Sequence, residues 1–302
     1  MKVKAHPREL TGPLSGGTAG STVTVEPLDT GWLEVPPAWL ERAGKRTAQL
    51  RMLGIGTPRS NWWTIPCPSF LVTHPGAGPF LVDTGLHPSV TAKPQANLGR
   101  IITSFSKPKL EAGKDVAAQL RSRGMDARDL KTVVMTHMHF DHTSAMSELG
   151  SSSFIVSEPE WVAATSTPRP SLHGYVHAHF DYAFDYQTIS FDGPSVGSYS
   201  TFGRTFDLFG DGSVRLAFTP GHTLGHMSLI CRLKDRDLVI AGDAVYTLGQ
   251  LADAPPPPRP EDPHTWRRSQ QELRLFGQQY PQAVIIPSHD PELWDTLEER
   301  YE

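Results

Sequence analysis

Cysteine is nearly absent from this chain: Cys67 and Cys231 are the only two. Two thiols make neither the disulfide framework of a small secreted scaffold nor a sulfur-rich structural zinc site, and both read as small core residues in a reducing compartment. Excess charge is missing as well. Lysine and arginine number 28 against 32 aspartates and glutamates, a net charge of −4, so no strong basic field draws nucleic acid or an anionic membrane. No apolar run reaches the length of a transmembrane helix. Residues 1–21, which include Lys2, Lys4 and Arg8, carry no apolar stretch of signal-peptide length. The expectation is a cytoplasmic globular protein without internal repeats. At 302 residues the length allows two domains, yet large α/β folds fill that size as one.

What the chain does have is histidine in one place. His137-Met138-His139-Phe140-Asp141-His142 packs three imidazoles and a carboxylate into six residues directly after the apolar run Val133-Val134-Met135. No folding requirement asks for that. Alternation in an extended segment lets His137 and His139 point to one side, while Asp141 and His142 diverge and can serve a second ion. Nitrogen and oxygen donors without thiolate suit zinc, and also manganese, cobalt or iron(II).

Other apolar runs end in the same kind of residue. Leu216-Ala217-Phe218-Thr219 leads into Pro220-Gly221-His222, Leu238-Val239-Ile240-Ala241 into Gly242-Asp243, and Ala283-Val284-Ile285-Ile286 into Pro287-Ser288-His289. Phe80-Leu81-Val82 ends in Asp83-Thr84-Gly85. Such runs read as buried strands, and in α/β sheets ligands gather beyond the carboxyl ends of strands. Five strand ends therefore offer polar donors to what could be one edge.

These motifs, together with Thr223-Leu224-Gly225-His226, Ala244-Val245-Tyr246-Thr247 and Asp290, run in order from about position 80 to 290 and resemble the metallo-β-lactamase superfamily of hydrolases. Phe140, and Tyr246 three residues after Asp243, make the chain most similar to the N-acyl homoserine lactonases. The resemblance implies an αββα sandwich with two metal ions at one edge. It assigns His137, His139 and His222 to one ion, Asp141, His142 and His289 to the second, and Asp243 as a bridge between them. It implies lactone hydrolysis and quorum-signal quenching, with hydrolysis of other esters such as aryl esters or phosphotriesters as the alternative.

Two divalent cations facing two carboxylates would keep a hydroxide available near neutral pH and favour an oxygen on which negative charge develops. The expected chemistry is attack of a bridging hydroxide on the lactone carbonyl. Tyr246 is expected to donate a hydrogen bond to the oxyanion or leaving oxygen, and Asp141 to pass a proton to the leaving alkoxide. Asp83 is expected to fix the loop that presents His137 and His139. His226 is expected to hydrogen-bond near the site without being a ligand.

Around these motifs, residues 1–21 are expected to form a flexible arm and residues 22–302 a single domain. Residues 22–33 and 50–55 read as strands and 39–45 as a short helix. A helix over 111–123 should end at Gly124, one from Ser157 through Ala164 has Glu160 at the third position of a capping box, and one opens at Asp262-Pro263 and stops at Pro281. Pro255 to Pro258 reads as a rigid connector. The stretch 165–209, with His173, His177, His179, Phe180, Tyr182 and Phe184, is expected to form a pocket wall or lid whose aromatics contact the substrate. Residues ahead of position 50 exceed what the motifs need and are compatible with docking a second subunit as a homodimer.

Overall fold

The computed structural model describes residues 3–40, 47–182, 184–252 and 260–302. Two sheets face each other. The first has seven strands in the order Arg8–Glu9, Asp185–Ile189, Ser153–Ser157, Thr132–Val134, Gly78–Val82, Ser69–His74 and Thr24–Leu28. The second has six: Val196–Tyr199, Phe202–Asp207, Val214–Phe218, Met227–Arg232, Asp237–Gly242 and Val284–Pro287. A small antiparallel sheet of Trp63–Pro66, Trp32–Val35 and Lys107–Lys109 lies apart from both.

The sandwich follows from strands that are apolar on both faces. Val82, Val134 and Ile155 of the first sheet point inward and pack with Leu216, Leu229 and Ile240 of the second. Their neighbours Leu81, Val133, Phe154 and Val156 point outward, beneath Val116, Leu120 and Trp161 of two helices, Val116–Ser122 and Glu158–Ser166. On the far side of the second sheet, Ala217, Ile230 and Val239 meet Leu273 and Phe276 of the long helix Pro263–Gln279. Helix, sheet, sheet and helix are thus the αββα order that the sequence led us to expect. No helix among the described residues is long and apolar enough to cross a membrane.

Several local expectations are met. Ser157 caps its helix by accepting from the Glu160 N–H, Asp262 caps Pro263–Gln279, and Gly124 takes the left-handed conformation (φ 74°) just past the helix it ends. Others need correction. Residues 50–55 do not form a strand: Ala48–Met52 is a helix, consistent with the helix-forming residues Ala, Gln, Leu, Arg and Met and with Leu50, Leu53 and Ile55 lying exposed. Of the helix expected over 39–45, the structure shows one 3-10 turn at Pro37–Trp39, and 41–46 lie outside the described residues. So does the Pro255 to Pro258 stretch. Within 1–21, Arg8–Glu9 pairs in parallel with Gln187 and Thr188, and Leu10 and Leu14 pack against the central core.

Candidate metal centre

Five strand ends converge on one edge of the sandwich. Thr132–Val134 delivers His137 and His139, and the single helical turn Phe140–Thr143 that follows carries Asp141 and His142. Val214–Phe218 leads to His222, Asp237–Gly242 to Asp243, Val284–Pro287 to His289, and Gly78–Val82 to Asp83. All seven residues expected to hold metal are brought together and fall into two groups. His137, His139, His222 and Asp243 form one, and Asp141, His142 and His289 the other.

In the first group, His222 Nε2 lies 3.2 Å from His137 Nε2 and 2.9 Å from His139 Nδ1. Asp243 faces both groups: its Oδ2 is 3.2 Å from His222 Nε2 and 3.3 Å from His289 Nε2, and its Oδ1 is 3.4 Å from His142 Nε2. His289 Nε2 is in turn 3.6 Å from Asp141 Oδ2. Burial lowers the pKa of His139 to about 3 and takes His137 and His222 well below the usual range. The three are neutral imidazoles, the protonation state in which a ring nitrogen can bind a cation. For Asp243, burial acts upward, but the charge on His289 and His142 outweighs it and holds the carboxyl well below its ordinary value.

His142 Nε2 and Asp243 Oδ1 are buried with no hydrogen-bond partner, a state that costs about 1–3 kcal/mol per group unless something else binds them. Three converging neutral nitrogens, an ionised carboxylate between the groups and two orphaned donor atoms fit a pair of divalent cations. The nitrogen and oxygen donor set contains no thiolate, since Cys67 and Cys231 lie in the core clusters.

The remaining atoms of these side chains are tied down. Asp83, with a left-handed backbone (φ 58°), accepts from Thr136 N at 2.8 Å and Thr136 Oγ1 at 2.7 Å, and its Oδ2 lies 2.7 Å from His142 Nδ1. It therefore holds His142 directly as well as the start of the histidine loop. His289 Nδ1 is 2.9 Å from the Pro66 carbonyl. His226 is not in either group. Its Nε2 accepts from the Asp243 N–H at 2.9 Å, so Nδ1 carries the proton and donates to Thr219 Oγ1 at 3.0 Å. Gly242 allows this, because a Cβ there would lie 2.6 Å from His226 Nε2. Tyr246 sits beside the first group with its hydroxyl 3.0 Å from His222 Nδ1.

The groups open into a cavity of about 230 Å³. His139, Asp141, His222, Asp243, His289 and Tyr246 form one part of its wall, and Trp39, Met52, Leu53, Phe105, Phe140 and Leu172 an apolar part. Trp39 and Phe105 have ring centroids 5.4 Å apart, and Trp39 donates from Nε1 to the Met52 carbonyl.

The stretch 165–209 supplies Leu172, His173 and Gly174 to this wall, but not its aromatic residues. Phe180 is fully buried and Phe184 packs beside it on the outer face of the first sheet, and Tyr182 is half exposed; none of them lines the cavity. The three histidines there are not ligands. His173 pairs with Glu261, His177 meets the Ala164 carbonyl, and His179 sits between Thr143 and Asn97. The apolar wall from Trp39, Met52, Leu53 and Phe105 was not foreseen. Nothing in those scattered residues signals a shared pocket until the chain folds.

Comparison with known proteins agrees with this geometry. The family model described as the Metallo-beta-lactamase superfamily matches residues 62–289. The N-acyl homoserine lactonase AttM of Rhizobium radiobacter is 31% identical over 234 residues, covering 77% of this chain and 84% of the relative. The structure of an N-acyl homoserine lactone hydrolase with the product N-hexanoyl-L-homoserine at its catalytic metal centre superposes with TM-score 0.72 at 20% identity, covering 94% of this chain and 98% of the other. That of a point mutant of Bacillus thuringiensis AiiA with N-decanoyl-L-homoserine bound at its active site gives 0.71 at 19%, with the same coverage. With three quarters of its length matched by the family model and its strand-end donors gathered at one edge, the chain belongs to the metallo-beta-lactamase superfamily.

Proposed function

We propose that this protein is a dinuclear metal-dependent lactonase that opens N-acyl homoserine lactones and thereby quenches a quorum signal. The observation that carries the reading is a single cavity that joins the two donor groups and the Tyr246 hydroxyl to an apolar wall. Such a pocket matches a small polar ring bearing an apolar tail. The resemblance to lactonases over three quarters of the chain supports the same substrate class.

On this reading His137, His139 and His222 hold one cation, Asp141, His142 and His289 the other, and Asp243 lies between them, with residues 22–302 acting as one domain. Zinc suits the donors best. When bound, two such cations activate water near neutral pH and polarise a carbonyl oxygen.

The chain's own groups do the rest. His222 turns Nε2 toward His137 and His139, so its Nδ1 carries the proton and donates to the Tyr246 oxygen. The Tyr246 hydroxyl proton is left free to point at a substrate oxygen. Burial, reinforced by Asp243 and Asp141, pushes the Tyr246 pKa well above its usual value, which keeps the phenol a neutral donor. Asp141, in the same wall, would take up the proton of the attacking water and pass it to the leaving alkoxide. The apolar wall orients the acyl tail and excludes water from the ring.

The experiment is incubation of metal-loaded protein with N-decanoyl homoserine lactone. Ring opening releases one proton and adds the mass of one water, while deacylation would release a fatty acid and refute the reading.

A further inference from the structure

Glu160 is fully buried and lines neither donor group. It stands third in the helix that Ser157 caps, where a capping-box glutamate would reach back to its own helix. It reaches outward instead. Its Oε1 accepts from the Met138 N–H at 2.9 Å and from the Tyr175 hydroxyl at 3.4 Å, and its Oε2 accepts from the Gly225 N–H at 3.2 Å.

Each partner belongs to a segment that presents the three-histidine group. Met138 lies between His137 and His139. Gly225 lies in the turn between His222 and His226, and that turn sits directly on the helix N-terminus. A Cβ on Gly225 would come within 2.0 Å of the Glu160 nitrogen, and Ser157 Oγ donates to the Gly225 carbonyl. Tyr175 forms a backbone bridge with His139, and the two rings are 5.1 Å apart. The ligands of the other group are held elsewhere, His142 by Asp83 and His289 by the Pro66 carbonyl, although Asp83 also holds Thr136 at the start of the histidine loop.

We infer that Glu160 is the positioning residue of the three-histidine metal site, fastening by its carboxylate the two loops whose relative placement sets that site and leaving the second site to Asp83 and Pro66. The inference rests on the reading of the two groups as metal sites. Donors that must be brought into register lose affinity when their supports go, by about 10–100-fold for partners of this kind. Gln keeps the shape of Glu but replaces one acceptor by a donor, which then faces a backbone N–H.

The test is titration of full-length, metal-stripped protein with ¹¹³Cd²⁺ followed by ¹¹³Cd NMR, because sites with three and two imidazoles give separate resonances. Wild type should show both; one resonance or none would remove the two-site reading itself. With both present, Glu160→Gln should need at least tenfold more free cadmium to half-fill the three-imidazole site, with the other within twofold. Glu160→Asp should fall between. If the Gln variant does not fold, Ser157→Ala, which removes the bond to the Gly225 carbonyl and the cap on the Glu160 N–H but keeps the Glu160 carboxylate, should weaken the same site about threefold. Equal weakening of both sites, or of neither, overturns the assignment.

Discussion

The Tyr246 hydroxyl lies 3.0 Å from Nδ1 of His222, and the other nitrogen of that imidazole faces His137 and His139. One ring thus joins a candidate ligand to the candidate catalytic phenol and fixes which of the two holds the shared proton. Tyr246→Phe keeps the ring, removes the donor aimed at substrate and leaves the His222 N–H without its acceptor. Lactone kcat should fall about ten- to a thousandfold, the range for one polar group acting in a transition state. Steady-state kinetics with metal content measured alongside checks this, and unchanged kcat would make Tyr246 a packing residue.

The apolar wall should set acyl-length preference. Each methylene removed from water is worth about 0.8 kcal/mol, so Trp39→Ala, which strips contact from two or three of them, should lower kcat/KM for a decanoyl lactone about 15- to 60-fold more than for a butanoyl one. Phe180→Ala should leave that profile intact and cost about 3–5 kcal/mol of stability, since Phe180 is fully buried away from the cavity. Kinetics across chain lengths and urea unfolding separate the two.

How much of this was legible beforehand differs from residue to residue. His137, His139, His222, Asp243 and His289 could be placed because each follows a strand within a few residues, and local sequence dictates where a strand ends. The runs that are apolar at every position marked buried strands, while the αββα order came from the family resemblance that the strand-end motifs carry. Trp39, Met52 and Phe105 meet only through packing between distant segments, which no local period records. The aromatics of 165–209 were sent to the wrong face, because alternation says that a face is apolar without saying which. Glu160 carried a true capping signal, and Ser157 does cap the helix. Its carboxylate goes elsewhere because Met138 and Gly225 offer buried N–H groups that need an acceptor.

His179 should make stability fall in acid. Burial lowers its pKa from 6.5 to about 4, and its Nδ1 faces Thr143 Oγ1 at 2.9 Å. A histidine held neutral contributes stability that is complete above pH 6.5 and is lost as pH falls toward 4, because the unfolded chain takes up the proton first. His179→Gln can keep both hydrogen bonds without titrating. Relative to that variant, wild type should lose about 2 kcal/mol between pH 7.5 and 4.5 in urea melts; parallel pH profiles would show that His179 does not titrate as described.

The central claim is tested most directly by kcat/KM for metal-loaded protein on three substrates: an N-acyl homoserine lactone, an aryl ester and a phosphotriester. A site with a phenol donor for the ring and an apolar wall for the tail predicts the lactone preferred by about a hundredfold or more, with the advantage shrinking in Tyr246→Phe. A lactone turned over no better than the aryl ester or the phosphotriester would contradict the lactonase reading.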